Sequence, residues 1–336
     1  MKKSKKVLAV LLAALTMSFA FAGCGGSTES SGSSNKSEEG KVYNIGICQL
    51  VQHPALDEAT KGFKDALTEK LGADHVKFDE QNASGEKTNC TTITSKFVSD
   101  NVDLIMANAT DALAAASQAT DTIPILATSI TDYASALEIK DWTGKTGFNV
   151  SGTSDLAPLK EQAAMVKEIV PDVKSVGILY CSAETNSKYQ ATVVAEELKN
   201  LGIESKEYTF VDTNDVSTVT QQMVTDKCDA IYIPTDNTAA SNTEAINNIL
   251  EPAKIPVITG EEGICKGCGI ATLSISYYNI GKKTGEMAYK ILVEGADPAD
   301  MEIEYDETPV KKYYATRAEA IGISIPEGYE AIATEE

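Results

Sequence analysis

LIMANATDAL at 104–113 and DAIYIPTDN at 229–237 decide how this chain folds. Each follows the same plan: an aspartate (Asp103, Asp229) opens an apolar run that turns polar where a helix would start. Upstream of each lies a second apolar run, YNIGICQL (43–50) and KSVGILYC (174–181). Gly46 and Asp103 are 57 residues apart, and Gly177 and Asp229 are 52 apart. Downstream, a run opening Ile-Pro follows in both halves, IPILATS (123–129) and IPVITG (255–260). One plan is written twice, and an internal repeat of this kind constrains the whole architecture.

The intervening segments supply the helices. ALDEATKGFKDALTEKLG (55–72) has helical periodicity and ends on Gly72, a common helix terminator. HVKFDEQ (75–81) reads as a strand, and TTITSKFVSDN (91–101) and DALAAASQAT (111–120) as helices. The second half runs in the same order: a helix to Gly202, a strand at SKEYTFV (205–211), a helix through Met223 and another through Leu250. Short apolar strands alternating with helices predict parallel sheets. The fold class is therefore α/β, with two similar Rossmann-like lobes and a cleft between them. Ligands in open parallel sheets sit beyond the carboxyl ends of the strands, so the site is expected in the residues just after each strand.

In the first lobe those loops carry Gln49 and His53, Asn108 and Thr110, and Ser129; Asp155 follows the first-half pattern. In the second they carry Asn186 and Ser187, Asp236 and Asn237, and Glu261. Counting seven residues on from the two aspartates reaches Thr110 and Asp236, which makes them equivalent helix starts facing each other. Helix starts expose unpaired N–H groups and suit a carboxylate, so Thr110 is the first choice for anion capture. Asp236, Asp155 and Glu261 are the candidates to pair with an ammonium. Asp and Thr are also favoured helix caps with no ligand at all. Apart from Lys188 at a margin, these loops hold no Lys or Arg, which disfavours phosphate, sulfate or citrate and favours a zwitterion. Phe148, Tyr133, Tyr180 and Tyr189 near strand ends are candidates for an apolar side-chain pocket and would serve equally as core aromatics. Trp142 is expected in surface or lobe packing.

The case for catalysis is thin. His53 precedes Pro54 in a loop and has the chemistry of an acid or base, but no nucleophile motif accompanies it. G-x-S-x-G and P-loop patterns are absent, and the adjacent Glu261 and Glu262 do not aim two carboxyls at one bond. A binding protein is expected, with no cofactor.

At the amino end MKKSKK places four lysines before an uncharged, mostly apolar run from Val7 to Gly23, the layout of a bacterial export signal. Seventeen residues fall short of the roughly 20 that span a bilayer. Gly25 to Gly40 has no large apolar residue and reads as a flexible linker. The expected divisions are a signal at 1–23, a linker at 24–41, a first lobe at 42–150 plus about 277–303, and a second at 151–276 plus about 304–330. The formal charge of −20 becomes about −24 without the four lysines of the signal. Nucleic-acid binding needs clustered Lys and Arg, so it is not expected. Beyond Cys24 there are six cysteines, Cys48, Cys90, Cys181, Cys228, Cys265 and Cys268. An even number permits disulfides in an exported chain, and the CKGC pair at 265–268 suits a local disulfide or two free thiols. A zinc site would need two ligands beyond that pair, with only His53 and His75 in the chain, so no metal is expected.

From Val42 to about Ile325 the chain resembles the substrate-binding lipoproteins of ABC importers of the tryptophan and tyrosine type. The stretches that carry the resemblance are GICQLVQHPALDEATKGF (46–63), LIMANATDAL (104–113), IPILATSITDY (123–133), NVSGTSD (149–155), GILYCSAETNSKYQ (177–190), DAIYIPTDN (229–237) and ISYYNIGKKTGEMAYKIL (275–292). Phe21-Ala22-Gly23-Cys24 likewise resembles a lipobox, with Phe21 in place of the usual leucine. The resemblance implies a type I periplasmic-binding-protein fold with three crossovers, expected near 149–154, 274–276 and 300–305. A monomer is expected, and the lipobox resemblance implies lipid anchoring through Cys24 to the outer face of the cell membrane. Such a protein binds an aromatic or hydrophobic amino acid by hinge closure and delivers it to an ABC permease with its ATPase. A sugar or nucleoside receptor of the same fold is the alternative, and an anchored hydrolase a more distant one.

Overall fold

The computed structural model describes residues 40–306 and 308–333. The signal segment, Cys24 and the linker as far as residue 39 lie outside the described residues.

The first lobe is built from β1 (Tyr43–Gln49), α1 (Pro54–Leu71), β2 (Val76–Asn82), α2 (Lys87–Ser99), β3 (Leu104–Asn108), α3 (Thr110–Ala119), β4 (Ile125–Ile130), α4 (Tyr133–Ala136) and β5 (Val150–Ser154). The chain then enters the second lobe with α5 (Leu159–Ile169), β6 (Ser175–Cys181), α6 (Thr185–Asn200), β7 (Glu204–Phe210), α7 (Val216–Asp226) and β8 (Ala230–Ile233). It continues through α8 (Asn237–Ala240), α9 (Thr243–Leu250), β9 (Val257–Thr259), α10 (Glu262–Cys268) and β10 (Ala271–Ser274). It returns to the first lobe for α11 (Tyr277–Leu292) and β11 (Glu304–Tyr305), and ends in the second with β12 (Val310–Tyr313), α12 (Ala315–Ile321) and β13 (Glu330–Ala331).

The sheet orders are β11-β5-β4-β3-β1-β2 and β13-β12-β10-β9-β8-β6-β7. Over the duplicated part both read 2-1-3-4-5, all parallel, and only β12 runs antiparallel to its neighbour β10. β5 and β11 pair with each other in the first sheet, and β10 pairs with β9 in the second. The passages between lobes therefore follow Ser154, Ser274 and Tyr305, at the edges of the three stretches expected for the crossovers and a few residues beyond two of the expected lobe boundaries. Residues 151–154 and 304–305, expected in the second lobe, belong to the first because their backbones are hydrogen-bonded there.

The repeat has a physical content. Asp103 accepts a hydrogen bond from the backbone N–H of Asn44, and Asp229 accepts from those of Lys174 and Ser175. Each aspartate thus ties the start of its strand to the start of the strand beside it. Gly46 and Gly177 also share a reason. A Cβ at Gly46 would strike the Phe97 ring on α2, and one at Gly177 would strike Met223 on α7. The same helix lies over the same strand in both lobes.

Each sheet is covered on both faces. In the first lobe α1 and α11 pack over Ile45, Ile47, Leu104, Met106 and Leu126, while α2 and α3 cover the face that includes Cys48, Ile105 and Ala107. The helix expected through Leu250 is interrupted. Asn242 leaves helical geometry (φ −127°, ψ 21°) and its side-chain amide donates to Thr238 O at 2.7 Å, so α8 stops and α9 starts anew. None of the six described cysteines is in a disulfide.

Candidate functional site

A parallel sheet ordered 2-1-3-4-5 has a switch point between strands 1 and 3, where the loops diverge to opposite faces and leave a crevice. Here the switch points β1/β3 and β6/β8 belong to two lobes that meet at their strand ends, and a narrow polar cavity lies between them. His53, Leu56 and Ser129 line it from the first lobe, and Asp155 and Tyr277 stand just after two of the three passages between lobes. Asn186, Thr235, Asp236, Asn237, Ala240, Glu261 and Ile264 complete the lining from the second.

Three carboxyls face this space. Asp236 caps α8, with Oδ1 accepting from Ala239 N and Oδ2 from Cys181 N, both at 2.7 Å. Burial, and then the negative charge of Glu184, push its carboxyl up to about 8. Glu261 caps α10 by accepting from the N–H groups of Gly263 and Ile264, and burial pushes it up to about 7. Asp155 accepts from Thr131 Oγ1 at 3.1 Å and Tyr277 Oη at 2.8 Å, and burial raises it as well. No Lys or Arg lines the cavity to offset them. Desolvated acids without a counter-charge favour an incoming cation.

Two lining residues each carry a buried polar atom without a partner, Nδ1 of His53 and Oγ of Ser129. Ser129 sits at φ 58°, where the β4–β5 register shifts, so the strand end turns out of the sheet. His53 immediately precedes Pro54, the first residue of α1, and its Nε2 lies 3.2 Å from Asn237 Oδ1 across the cleft. Burial lowers the imidazole's affinity for a second proton.

The remaining sequence candidates lie outside the lining. Gln49 and Asn108 brace strand ends against α1: Thr60 Oγ1 donates to Gln49 Oε1 at 2.7 Å, and Asn108 Nδ2 donates to Leu56 O at 2.8 Å. Thr110 is the first helical residue of α3, and the cap position falls to Ala109 at φ 89°, with no side chain capping the helix. The expected equivalence with Asp236 is thus one residue out of step. Ser187 is buried and bonded to the Asp236 carboxyl. Phe148, Tyr133, Tyr180 and Tyr189 do not line the cavity. Tyr133 instead donates to Ala127 O and stacks on Trp142, and Tyr180 donates to Glu207.

Sequence reasoning placed Thr131, Thr235 and Glu184 in the expected loops without singling them out, and did not select Tyr277 or Gln190. Gln190 Nε2 donates to Thr235 Oγ1 at 2.6 Å and to Thr131 Oγ1 at 3.3 Å, joining the lobes beside the cavity. Glu184 accepts from the backbone N–H groups of Asn237 and Thr238 and from both their side chains. An acid in the loop after β6, one position before α6, was the available signal.

A wider groove runs along the crossovers, lined by residues such as Glu58, Asn279 and Lys312. Its Lys312 pairs with Glu262 at 2.5 Å, and among the described residues no unpartnered buried polar side-chain atom lines it. The interlobe cavity is the better site.

Two duplicated α/β lobes joined by three crossovers, with a polar cavity at facing switch points, define a solute-binding protein of the type I periplasmic fold. The chain belongs to the ABC transporter substrate binding protein family, whose model matches residues 44–336. It is 37% identical over 315 residues to a tyrosine-binding protein of Clostridioides difficile (strain R20291), covering 92% of this chain and 90% of that one. Among solved structures, an ABC domain from Streptococcus pneumoniae in complex with L-Trp is similar with a TM-score of 0.82 at 32% identity, over 87% of this chain and 100% of that one. The ligand-free, open structure of a Clostridium difficile substrate-binding protein with adhesive properties gives 0.67 at 36% identity, over 88% and 100%. Members of this family bind a solute outside the cytoplasm, and do not transform it. Among the described residues no helix is long and apolar enough to cross a membrane.

Proposed function

We propose that this protein captures an aromatic amino acid for an ABC importer. The observation that carries the reading is the cavity itself: three desolvated carboxyls, no lining cation, and Leu56, Ala240, Ile264 and Tyr277 as apolar neighbours. The α-ammonium pairs with Asp155, Asp236 and Glu261. The α-carboxylate takes the free Ser129 hydroxyl. Tyrosine and tryptophan in the similar proteins support an aromatic side chain.

Closure about the three crossovers is the proposed mechanism. Supporting it, this chain matches the L-Trp complex better than the open, ligand-free structure, although it is more identical to the latter. Ligand contacts from both lobes stabilise the closed arrangement, which a permease and its ATPase then engage. Cys24 is the proposed lipid anchor, residues 1–23 the export signal, and a monomer the working form.

Calorimetric titration of the chain lacking residues 1–24 with the twenty amino acids, several sugars and several nucleosides tests the reading. Binding confined to tryptophan, tyrosine or phenylalanine is expected; binding of a sugar or nucleoside alone would sink it. In cells, Cys24→Ser is expected to release the protein from the membrane fraction.

A further inference from the structure

His53 enters the cavity with one nitrogen bonded and the other bare, and the bonding decides which nitrogen carries the proton. Glu184 Oε2 accepts from Asn237 N at 3.0 Å, from Asn237 Nδ2 at 2.8 Å and from Asn186 Nδ2 at 3.1 Å. A carboxylate oxygen only accepts, so the Asn237 amide must turn its NH₂ toward Glu184. Turning it round would set its carbonyl oxygen against the carboxylate. Asn237 Oδ1 is thereby left facing His53 Nε2 at 3.2 Å, and an oxygen there requires that Nε2 bear the hydrogen. Nδ1 is then a lone pair, buried and without a partner, on a residue that lines the cavity.

We propose that His53 Nδ1 is a specificity-determining acceptor, held in that state by Glu184 through Asn237, which selects amino acids whose side chain carries an N–H or O–H donor. The proposal rests on the amino-acid reading above. The ammonium is not the donor that Nδ1 receives, because three carboxyls in the same cavity compete for it with charge and a neutral imidazole does not. A phenol O–H or an indole N–H meets the lone pair; a phenyl ring leaves it buried and unpaired. A site built to bond a polar hydrogen rejects the analogue that lacks it more strongly than an apolar pocket rejects a small change in size. Glu184 and Asn237 act as positioning residues.

The chain contains only two histidines, so ¹⁵N-histidine labelling of the His75→Gln variant leaves His53 as the sole imidazole signal. The expected ligand-free spectrum shows a protonated Nε2 and an unprotonated Nδ1. Tyrosine or tryptophan should move the Nδ1 resonance toward that of a hydrogen-bonded nitrogen, and phenylalanine should bind at least about tenfold more weakly and leave it in place. Glu184→Gln supplies an amide that can donate to Asn237, freeing that amide to turn; the proton should shift toward Nδ1 and the discrimination shrink. His53→Leu should bring the three affinities within about threefold, by weakening tyrosine and tryptophan more than phenylalanine. Protonation at Nδ1, phenylalanine bound as tightly as tyrosine, or an equal loss for all three ligands in His53→Leu overturns the proposal. If no amino acid binds while Nε2 is still the protonated nitrogen, the amino-acid reading fails and the tautomer assignment stands.

Discussion

Asp236 and Glu261 hold protons that the same side chains would release in the unfolded chain, since burial pushes them up to about 8 and about 7. A carboxyl with a raised folded-state value binds more protons in the native state, so stability falls as pH rises from the ordinary carboxylate range through those values. Ligand-free protein is therefore expected to melt at a lower temperature at pH 8 than at pH 5. An ammonium ligand pairs with the ionised forms, so affinity should tighten over the same interval. Titrations in buffers of different ionisation enthalpy should show protons leaving on binding; proton uptake would contradict this. The three acids could be found in the sequence because each stands at or just beyond a strand end, where α/β topology puts ligands. Glu184 and Gln190 escaped because their partners, Asn237, Thr238, Thr235 and Thr131, come from other strand ends, and only the folded chain brings these together.

At the scale of elements, the contact between α1 and α11 is unusually close because glycines make it so. A Cβ at Gly281 would overlap the carbonyl of Ala59, and one at Gly62 the carbonyl of Tyr278. Gly281→Ala is expected to cost about 1–3 kcal/mol by overpacking, read as a lowered urea midpoint, with ligand affinity of the folded fraction little changed. An unaltered midpoint would mean the helices separate freely. The amphipathic pattern of α1 showed in its sequence; its pairing with α11, more than 200 residues later, did not, since periodicity tells which face is apolar and not what covers it. The repeated strands were legible to within a few residues because Asp103 and Asp229 mark the same place in each copy. Ala109, with φ 89° at the cap of α3, gave no such mark, and this is how Thr110 came to be read one position out of step.

For the whole molecule, the bonds across the cleft set how firmly the lobes stay together. Lys87 pairs with Asp111 in its own lobe at 2.9 Å and reaches Ala183 O of the other at 3.2 Å. Its ammonium stem is more than half exposed (56%), so the contribution is small. Lys87→Ala is expected to weaken ligand binding about two- to fivefold, chiefly through faster dissociation in stopped-flow traces, with a smaller effect in high salt. Scattering should show the radius of gyration falling when tyrosine or tryptophan is added, and a constant radius would count against hinge closure.

The path of α11 back to the first lobe also bears on the order in which the chain can fold as it is made. Residues 43–154 come first, yet the apolar face formed by Ile45, Ile47, Phe63 and Leu67 is covered only when Met287, Ala288 and Ile291 have been synthesised. The lobe begun first is thus finished late, and until then it presents a half-covered sheet to any chaperone or protease that meets the nascent chain.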